Sequence, residues 1–152
     1  MVTVINMTDH PVVVLGPKNN GYRTPIASFP PSGEVLRMDE SWEPMSDSLT
    51  VPVEAVANTA VWSKDGLTIP IVRRRTGSLR VNHEGGGMSM FDRTAYPDDA
   101  LFIVSSQVLM AFPAMDELIC PAQIVREGRR VIGCRSFSHN GDPAGLALIL
   151  RS

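Results

Sequence analysis

The order of apolar and polar positions predicts a chain built mainly of short strands. Residues 101–104 form an unbroken apolar run, which is typical of a strand buried on both faces. The first forty residues alternate short apolar segments with clusters of Gly, Pro, Asn and Asp, which favour turns. The predicted strands there form an antiparallel meander at residues 1–5, 12–15, 22–29 and 34–38. Residues 39–48 are acidic and lack a period, so they predict a loop.

One short helix is predicted directly after the apolar run. Ser105 or Ser106 can cap its first turn, because a serine hydroxyl accepts a hydrogen bond from a free backbone N–H group. Pro113 ends the helix, since proline has no N–H group to donate. A helix of this length is not stable alone, so we expect it to pack on a sheet. The apolar residues that share one face of it are Val108, Leu109 and Phe112.

Further strands follow from the same pattern on both sides of this helix. A hairpin is predicted from residues 122–126 and 131–137, with its turn at Glu127 and Gly128. The apolar run at 146–150 predicts a last strand. In the middle of the chain, strands are predicted at residues 49–56, 59–62 and 67–72, with a hairpin turn at 64–66.

Together these elements predict one domain over residues 1–152. Its class is α+β, rich in mostly antiparallel strands, with one short helix packed on the sheet. Residues 82–99 contain three consecutive glycines, which are entropically costly to fix, and they predict a mobile loop. The apolar run at 146–150 and the predicted edge strands lead us to expect a homo-oligomer, most simply a dimer.

Charge and composition exclude several classes of protein. The net charge is −2, spread evenly over both halves of the chain, which argues against binding of extended nucleic acid. No apolar run approaches the roughly 20 residues that span a bilayer, so no membrane partner is expected. Cys120 and Cys134 are isolated in sequence and predict buried thiols in a reducing cytoplasm.

Sequence motifs for catalysis and metal binding are absent. The chain has no phosphate-binding loop, dinucleotide fingerprint, zinc-protease motif or nucleophile elbow. His83, Cys134 and His139 lack the spacing of metal ligands. We therefore expect no enzymatic activity, no cofactor and no metal.

Arg135 is the first candidate binding residue. Strand alternation places it on the same face as Val131, Gly133 and Phe137, where it interrupts an apolar surface near the core. A buried guanidinium needs a partner, because an uncompensated buried charge is very costly. That partner is either a carboxylate of this chain or an anionic ligand, and the sequence leaves both open.

Further candidates lie at strand ends and turns. Arg73 and Arg75 point to one side of a strand end, which suits either a solvated edge or a phosphate clamp. The arginines of the predicted hairpin tip invite the same two interpretations. Thr8 and His10 lie in a turn rich in hydrogen-bonding groups, where Pro11 holds His10 extended.

Three short motifs carry a resemblance to a known family. They are I-N-M-T-D-H at residues 5–10, I-V-S at 103–105 and V-I-G-C-R at 131–135. In order and spacing they resemble a family of small uncharacterised proteins common in bacteriophage and prophage genomes. The chain departs from that pattern with Phe102 in place of Tyr and with a long middle, residues 39–98. The family has no established activity, so the resemblance implies a phage origin and, with it, the cytoplasm of an infected bacterium.

That origin implies function by binding. By analogy of origin and size, several phage anti-defence proteins sequester cyclic nucleotides or ADP-ribose-type signals in pockets lined by arginine and aromatic residues. We therefore expect an anti-defence protein that sequesters a phosphate-bearing nucleotide-type host signal without catalysis. The alternative is a protein–protein interaction module, either an inhibitor of a host protein or a minor virion component. The ligand-binding residues predicted for the first hypothesis are Thr8, His10, Arg73, Arg75 and Arg135.

Overall fold

A computed structural model of the chain describes residues 2–51 and 67–151. They divide into two compact units: Met1–Met38 with Ser78–Ser152, and Asp39–Gly77. None of the described helices is long and apolar enough to cross a membrane. The strands are β1 (Thr3–Asn6), β2 (Val12–Asn19), β3 (Tyr22–Phe29), β4 (Glu34–Val51), β5 (Leu67–His83), β6 (Met88–Met90), β7 (Ala100–Ile103), β8 (Leu118–Glu127) and β9 (Arg130–Ser138). The helices are a 3-10 turn (Arg93–Ala95), α1 (Ser106–Ala111) and α2 (Pro143–Arg151).

The first unit contains a six-stranded sheet in the order β1-β7-β8-β9-β2-β3. β7 runs parallel to both of its neighbours, β1 and β8. The β8–β9 and β2–β3 pairs are antiparallel hairpins, and Val14 pairs with Cys134 where β2 runs parallel to β9. The two outer strands meet at one end, because the Asn6 side chain at the end of β1 donates to the Phe29 carbonyl at the end of β3.

Both faces of this sheet are buried at its strand β7. All four of its residues are buried, with alternate side chains entering opposite apolar layers. Ala100 and Phe102 belong to the first layer with α1, while Leu101 and Ile103 belong to the second. The unbroken apolar run of the sequence is therefore the centre of a two-sided core.

Each layer is covered by one helix. The Ser105 hydroxyl caps α1 by accepting from the Val108 N–H group, and Val108 and Leu109 are buried against the sheet. On the opposite layer α2 packs through Leu146 and Ile149, which lie one turn apart.

In the second unit, strands β4 and β5 are adjacent and charged side chains join them. The Arg74 and Arg75 guanidiniums form ion pairs with the carboxylates of Glu40 and Glu43. These four side chains are substantially solvent-exposed, so the pairs contribute little to stability.

Much of the predicted fold is confirmed. The chain is strand-rich, most of the paired strand residues lie in antiparallel pairs, and the short helix begins after Ser105 as expected. The hairpin of β8 and β9 is confirmed, and β8 extends back to Leu118. Cys120 and Cys134 are both buried and free.

Four predictions about the elements are wrong. Of the predicted meander only β2 and β3 pair, because β1 pairs in parallel with β7 and β4 belongs to a second sheet with β5 and β6. Residues 39–48 lie within β4 instead of a loop. The run at 146–150 is part of α2, because Leu146 and Ile149 face the core at helical spacing while Leu148 is 73% exposed. Arg135 is exposed, because the opposite face of β9 points inward through Cys134, which is 1% exposed.

Other predictions fall partly or wholly outside what the structure addresses. The strand at 59–62 and the turn at 64–66 lie outside the described residues, as does most of the strand at 49–56. The segment 82–99 contains the end of β5, β6 and the 3-10 turn, and its mobility stays a prediction. The single domain over the whole chain also stays a prediction.

Candidate functional site

A concave surface of about 950 Å³ lies in the first unit, and we call it the groove. Four parts of the fold form it: the segment between β1 and β2, the start of β4, the junction of β7 with α1, and the β8–β9 hairpin. β2 and β9 are parallel, so both begin at the same end of the sheet, where the groove lies. Its lining includes Met7, Thr8, Asp9, His10, Leu36, Arg37, Val104, Cys120, Ile124, Arg126, Arg130, Val131, Gly133 and Cys134.

The floor of the groove is apolar and belongs to the core. Its buried members are Met7, Leu36, Val104, Cys120 and Cys134. Burial raises the pKa of the Cys120 thiol, and the neighbouring Cys134 raises it further. Burial also raises the pKa of Cys134. Both thiols therefore stay protonated at neutral pH and offer an apolar, unreactive surface.

A close approach of two backbones supports this floor at Gly133. A Cβ atom at that position would lie 2.7 Å from the Val13 carbonyl oxygen and 2.9 Å from Cγ of Leu15. Only glycine lets β9 lie this near β2 without displacing either strand. The close packing of β9 on β2 therefore explains the glycine of the V-I-G-C-R motif.

One side of the groove is shaped by the buried Asn6 amide. Its Nδ2 atom donates to the carbonyls of His10 at 2.9 Å and Phe29 at 2.8 Å. Its Oδ1 atom accepts from the Thr8 N–H group at 3.0 Å and the Thr8 hydroxyl at 2.6 Å. All four hydrogen-bonding positions of the amide are used, which fixes residues 7–11 against the sheet.

The rim of the groove carries most of its charge. Arg37, Arg126 and Arg130 line it, and all three are exposed. Arg37 lies 3.7 Å from the Asp9 carboxylate, an exposed pair of small energetic value. Within the described part of the chain, the guanidiniums of Arg126 and Arg130 have no hydrogen-bond or ion-pair partner. Their donors are free to bind an anion.

His10 and Thr8 are the two predicted site residues that line the groove. The His10 Nδ1 atom lies 3.0 Å from the Pro11 carbonyl, which accepts hydrogen bonds only, so Nδ1 carries the proton. Nε2 of this exposed ring is left to face solvent or a ligand. The Thr8 hydroxyl already donates to Asn6, so Thr8 shapes the groove more than it offers a free donor.

The other predicted site residues do not line the groove. Arg135 is exposed and is absent from its lining. The guanidinium also has no carboxylate partner among residues 2–51 and 67–151, so the predicted buried ion pair is wrong. Arg73 and Arg75 belong to the second unit, where Arg75 is paired with Glu43. A ligand role for Arg73, Arg75 and Arg135 stays a prediction.

Sequence reasoning considered part of this rim and missed the rest. The predicted turn at Glu127 and Gly128 already places Arg126 and Arg130 on neighbouring strands, and this was the available signal. No local pattern marks Arg37, which reaches the groove because β4 lies beside residues 7–11. The bond from the Leu36 N–H group to the Met7 carbonyl, 3.0 Å long, makes this contact.

Within the described ranges, no group of three or more His, Cys, Asp or Glu side chains is arranged to hold a metal ion.

Comparison of the chain with protein-family models, with curated proteins and with solved structures finds no match.

Proposed function

We propose that this protein is a phage accessory protein that sequesters a phosphate-bearing nucleotide-type host signal in the groove, without catalysis. The observation that carries the proposal is a buried apolar floor beside two rim arginines, Arg126 and Arg130, that have no partner among the described residues. A nucleotide has the same two parts, a flat base with apolar faces and a charged phosphate.

The size and chemistry of the groove fit such a ligand. Small-molecule sites typically measure about 300–1,000 Å³ and combine an apolar lining with a few polar groups. The groove, at about 950 Å³, lies at the upper end of that range. A guanidinium binds phosphate oxygens through two parallel N–H bonds, which gives both affinity and orientation.

Electrostatics also support an anionic ligand. The groove is lined by three arginines and one aspartate, a formal charge of 3 − 1 = +2, whereas the whole chain carries −2. A local positive field on an acidic protein attracts small anions while the remaining surface repels long polyanions. This supports a nucleotide-type signal over extended nucleic acid.

Binding without chemistry is the form of the proposal because three potential nucleophiles of the groove, Cys120, Cys134 and Thr8, are already committed. The thiols on the floor are held protonated by burial, and the Thr8 hydroxyl donates to Asn6. The ligand would therefore leave the protein unchanged, as sequestration requires.

The test is a thermal-shift screen with cyclic mononucleotides, cyclic dinucleotides and ADP-ribose derivatives, followed by calorimetry. At about 100 times Kd, a ligand should stabilise the protein by about 2.7 kcal/mol. Arg126→Ala or Arg130→Ala should weaken binding at least tenfold. Arg129→Ala is the matched control, since it removes the same charge from the same exposed hairpin tip outside the groove. The ligand should be recovered intact after denaturation.

Two results would contradict this proposal. One is a screen in which none of these nucleotides shifts the melting temperature. The other is an Arg129→Ala variant that loses as much affinity as the groove variants, which would show a diffuse charge effect.

A second candidate function, a protein–protein interaction module, is favoured by the apolar part of the rim. Ile124 and Val131 line the groove and are 47% and 49% exposed. Exposed apolar side chains at a concave surface suit a peptide segment of a host or virion protein. Ile124→Ser should then abolish partner binding, whereas the nucleotide screen should give no shift.

Self-association is a separate part of the proposal. The expected homo-oligomer no longer depends on a terminal strand, but Leu148 and Leu150 of α2 are 73% and 54% exposed. Light scattering that gives the mass of one chain over a wide concentration range would contradict it.

A further inference from the structure

Three polar side chains on β4, β5 and β6, none of which lines the groove, form a second cluster. Ser89 Oγ lies 2.8 Å from Nε2 of His83, a hydrogen-bond distance. Nδ1 of the same ring lies 3.6 Å from Oε1 of Glu34. All three residues belong to the first unit. We call this the serine–histidine–glutamate relay.

The carboxylate end of the relay is held in place by an aromatic cluster. The Tyr96 hydroxyl donates to Oε2 of Glu34 at 2.6 Å, which leaves Oε1 directed at the histidine. The Tyr96 ring stacks on Phe91 at 5.7 Å and meets the edge of Phe102 at 5.1 Å. Burial, together with the hydrogen bond to Glu34, raises the pKa of Tyr96, so the phenol remains a donor.

The main chain of the histidine is held by two hydrogen bonds to the glycine turn. Its N–H group donates to the Gly87 carbonyl at 2.7 Å, and its carbonyl accepts from Gly86 at 3.1 Å. A carboxylate facing Nδ1 favours the tautomer that carries its proton there, which leaves Nε2 to accept the Ser89 hydroxyl. The order of the groups is that of an activated serine, with a base hydrogen-bonded to the nucleophile and a carboxylate 3.6 Å from the base.

The serine is accessible to a reactant. Ser89 is exposed on β6, a short strand at the edge of its sheet. The turn beside it contains Gly85 and Gly86, whose φ values of 96° and 101° require glycine. A Cβ atom at either glycine would meet no described residue within 4 Å, so this part of the chain leaves the space beside the turn open.

We propose that Ser89 is an activated nucleophile that cleaves small, exposed carboxylic esters, with His83 as general base and Glu34 as its positioning residue. This activity is independent of the groove and of its ligand. Ser89 Oγ adds to the ester carbonyl carbon while its proton passes to Nε2 of His83. The bond to the alcohol oxygen then breaks, and the departing alkoxide takes that proton. Water hydrolyses the resulting Ser89 ester by the same route, which releases the carboxylic acid and restores the hydroxyl.

The test uses a fluorophosphonate probe and p-nitrophenyl acetate on the full chain. Wild type should gain one phosphonyl group on Ser89, with loss of fluoride, as shown by intact mass and peptide mapping. Ser89→Ala should remove this adduct, whereas Ser28→Ala, which changes an equally exposed serine on another strand, should keep it. The labelling rate of the wild type should also be measured over a range of pH, as the reference profile for the variants.

Variants of the other two residues separate positioning from folding. His83→Asn should slow labelling at least a hundredfold, and Glu34→Gln at least tenfold with a displaced pH profile, while circular dichroism confirms that both fold. The proposal is overturned if wild type is labelled no faster than Ser89→Ala, or if the adduct maps elsewhere. The adduct is read at Ser89 in the absence of any nucleotide, so this result stands apart from the nucleotide screen.

Discussion

Replacing Asn6 by alanine should cost more stability than any other single polar substitution in the turn between β1 and β2. The side chain is 2% exposed and makes four hydrogen bonds, two as donor and two as acceptor. At about 1 kcal/mol net for each bond, the loss sums to about 4 kcal/mol. That is a large part of the roughly 5–15 kcal/mol by which a domain is stable. For a chain of this length it corresponds to a fall in melting temperature of about 8–16 °C.

Urea denaturation followed by circular dichroism measures this loss as a shift of the midpoint at constant slope. Asn140→Ala is the control, because this asparagine is exposed in a loop, and we expect a change within about 0.5 kcal/mol. If Asn6→Ala and Asn140→Ala share one midpoint, the four-bond network does not stabilise the fold as argued.

Asn6→Asp tests the direction of these bonds. A carboxylate keeps both bonds from Thr8 but faces the carbonyls of His10 and Phe29 with no donor, so its pKa should rise. When the pKa of an acid is higher in the folded than in the unfolded state, the protein loses stability as the pH rises above the unfolded value. The deficit relative to wild type should therefore shrink as the pH falls towards about 4, where a protonated Asp supplies one donor. A deficit that does not change with pH would refute this account.

Two further predictions concern other parts of the first unit. Gly145→Ala should destabilise the protein by about 1–3 kcal/mol, since its Cβ atom would overlap the Asp116 carboxylate, which accepts from the Asp142 N–H group before α2. Adding Asp116→Ala should recover part of that loss in a double-mutant cycle, and strictly additive losses would contradict it. Burial and Glu34 raise the pKa of Tyr96 in the folded protein. The protonated phenol therefore contributes to the stability of the fold below the usual tyrosine pKa of about 10, and this contribution is lost as the pH rises through the pKa of the folded state. Denaturation midpoints measured from pH 8 to pH 11 should fall above about 10 in wild type and less in Tyr96→Phe, and equal slopes would contradict this.

Sequence reasoning succeeded where one local signal decided the structure. The run at 101–104 has apolar residues at every position, so only a strand buried on both faces satisfies it. Ser105 and Pro113 bracket a helix by backbone hydrogen-bonding rules that hold in any fold. These signals require no knowledge of what lies across the sheet.

Sequence reasoning failed where tertiary contacts decided the structure. Residues 146–150 are apolar at every position, and periodicity alone cannot distinguish a strand from a helix in so short a run. Contact of Leu146 and Ile149 with the core layer settles it as a helix. For Arg135, strand alternation alone could not show which side chains of β9 enter the core, whereas tertiary packing shows that Cys134 is buried and Arg135 is exposed.

Sequence reasoning could find the parts of the site but not their arrangement, because the topology of the sheet brings them together. Thr8 and His10 could be selected from their turn, and Arg126 and Arg130 from theirs, but the two turns are more than a hundred residues apart. They meet because β2 and β9 run parallel, as the pairing of Val14 with Cys134 shows. Such a pairing leaves no mark in either segment, so the groove could not be assembled from the sequence.

The position of the groove within the core determines which substitutions can test its function. Its floor residues Met7, Leu36 and Cys120 belong to one apolar layer, and Cys134 belongs to the other. Truncating any of them removes core packing at about 2–5 kcal/mol for a large side chain, so lost binding could not be separated from lost stability. The rim arginines are exposed and, for Arg126 and Arg130, unpaired within the described residues, so their removal should change stability little. If Arg126→Ala loses binding while its denaturation midpoint is unchanged, the loss concerns ligand recognition and not folding. The hairpin tip is therefore the most informative place to test the groove.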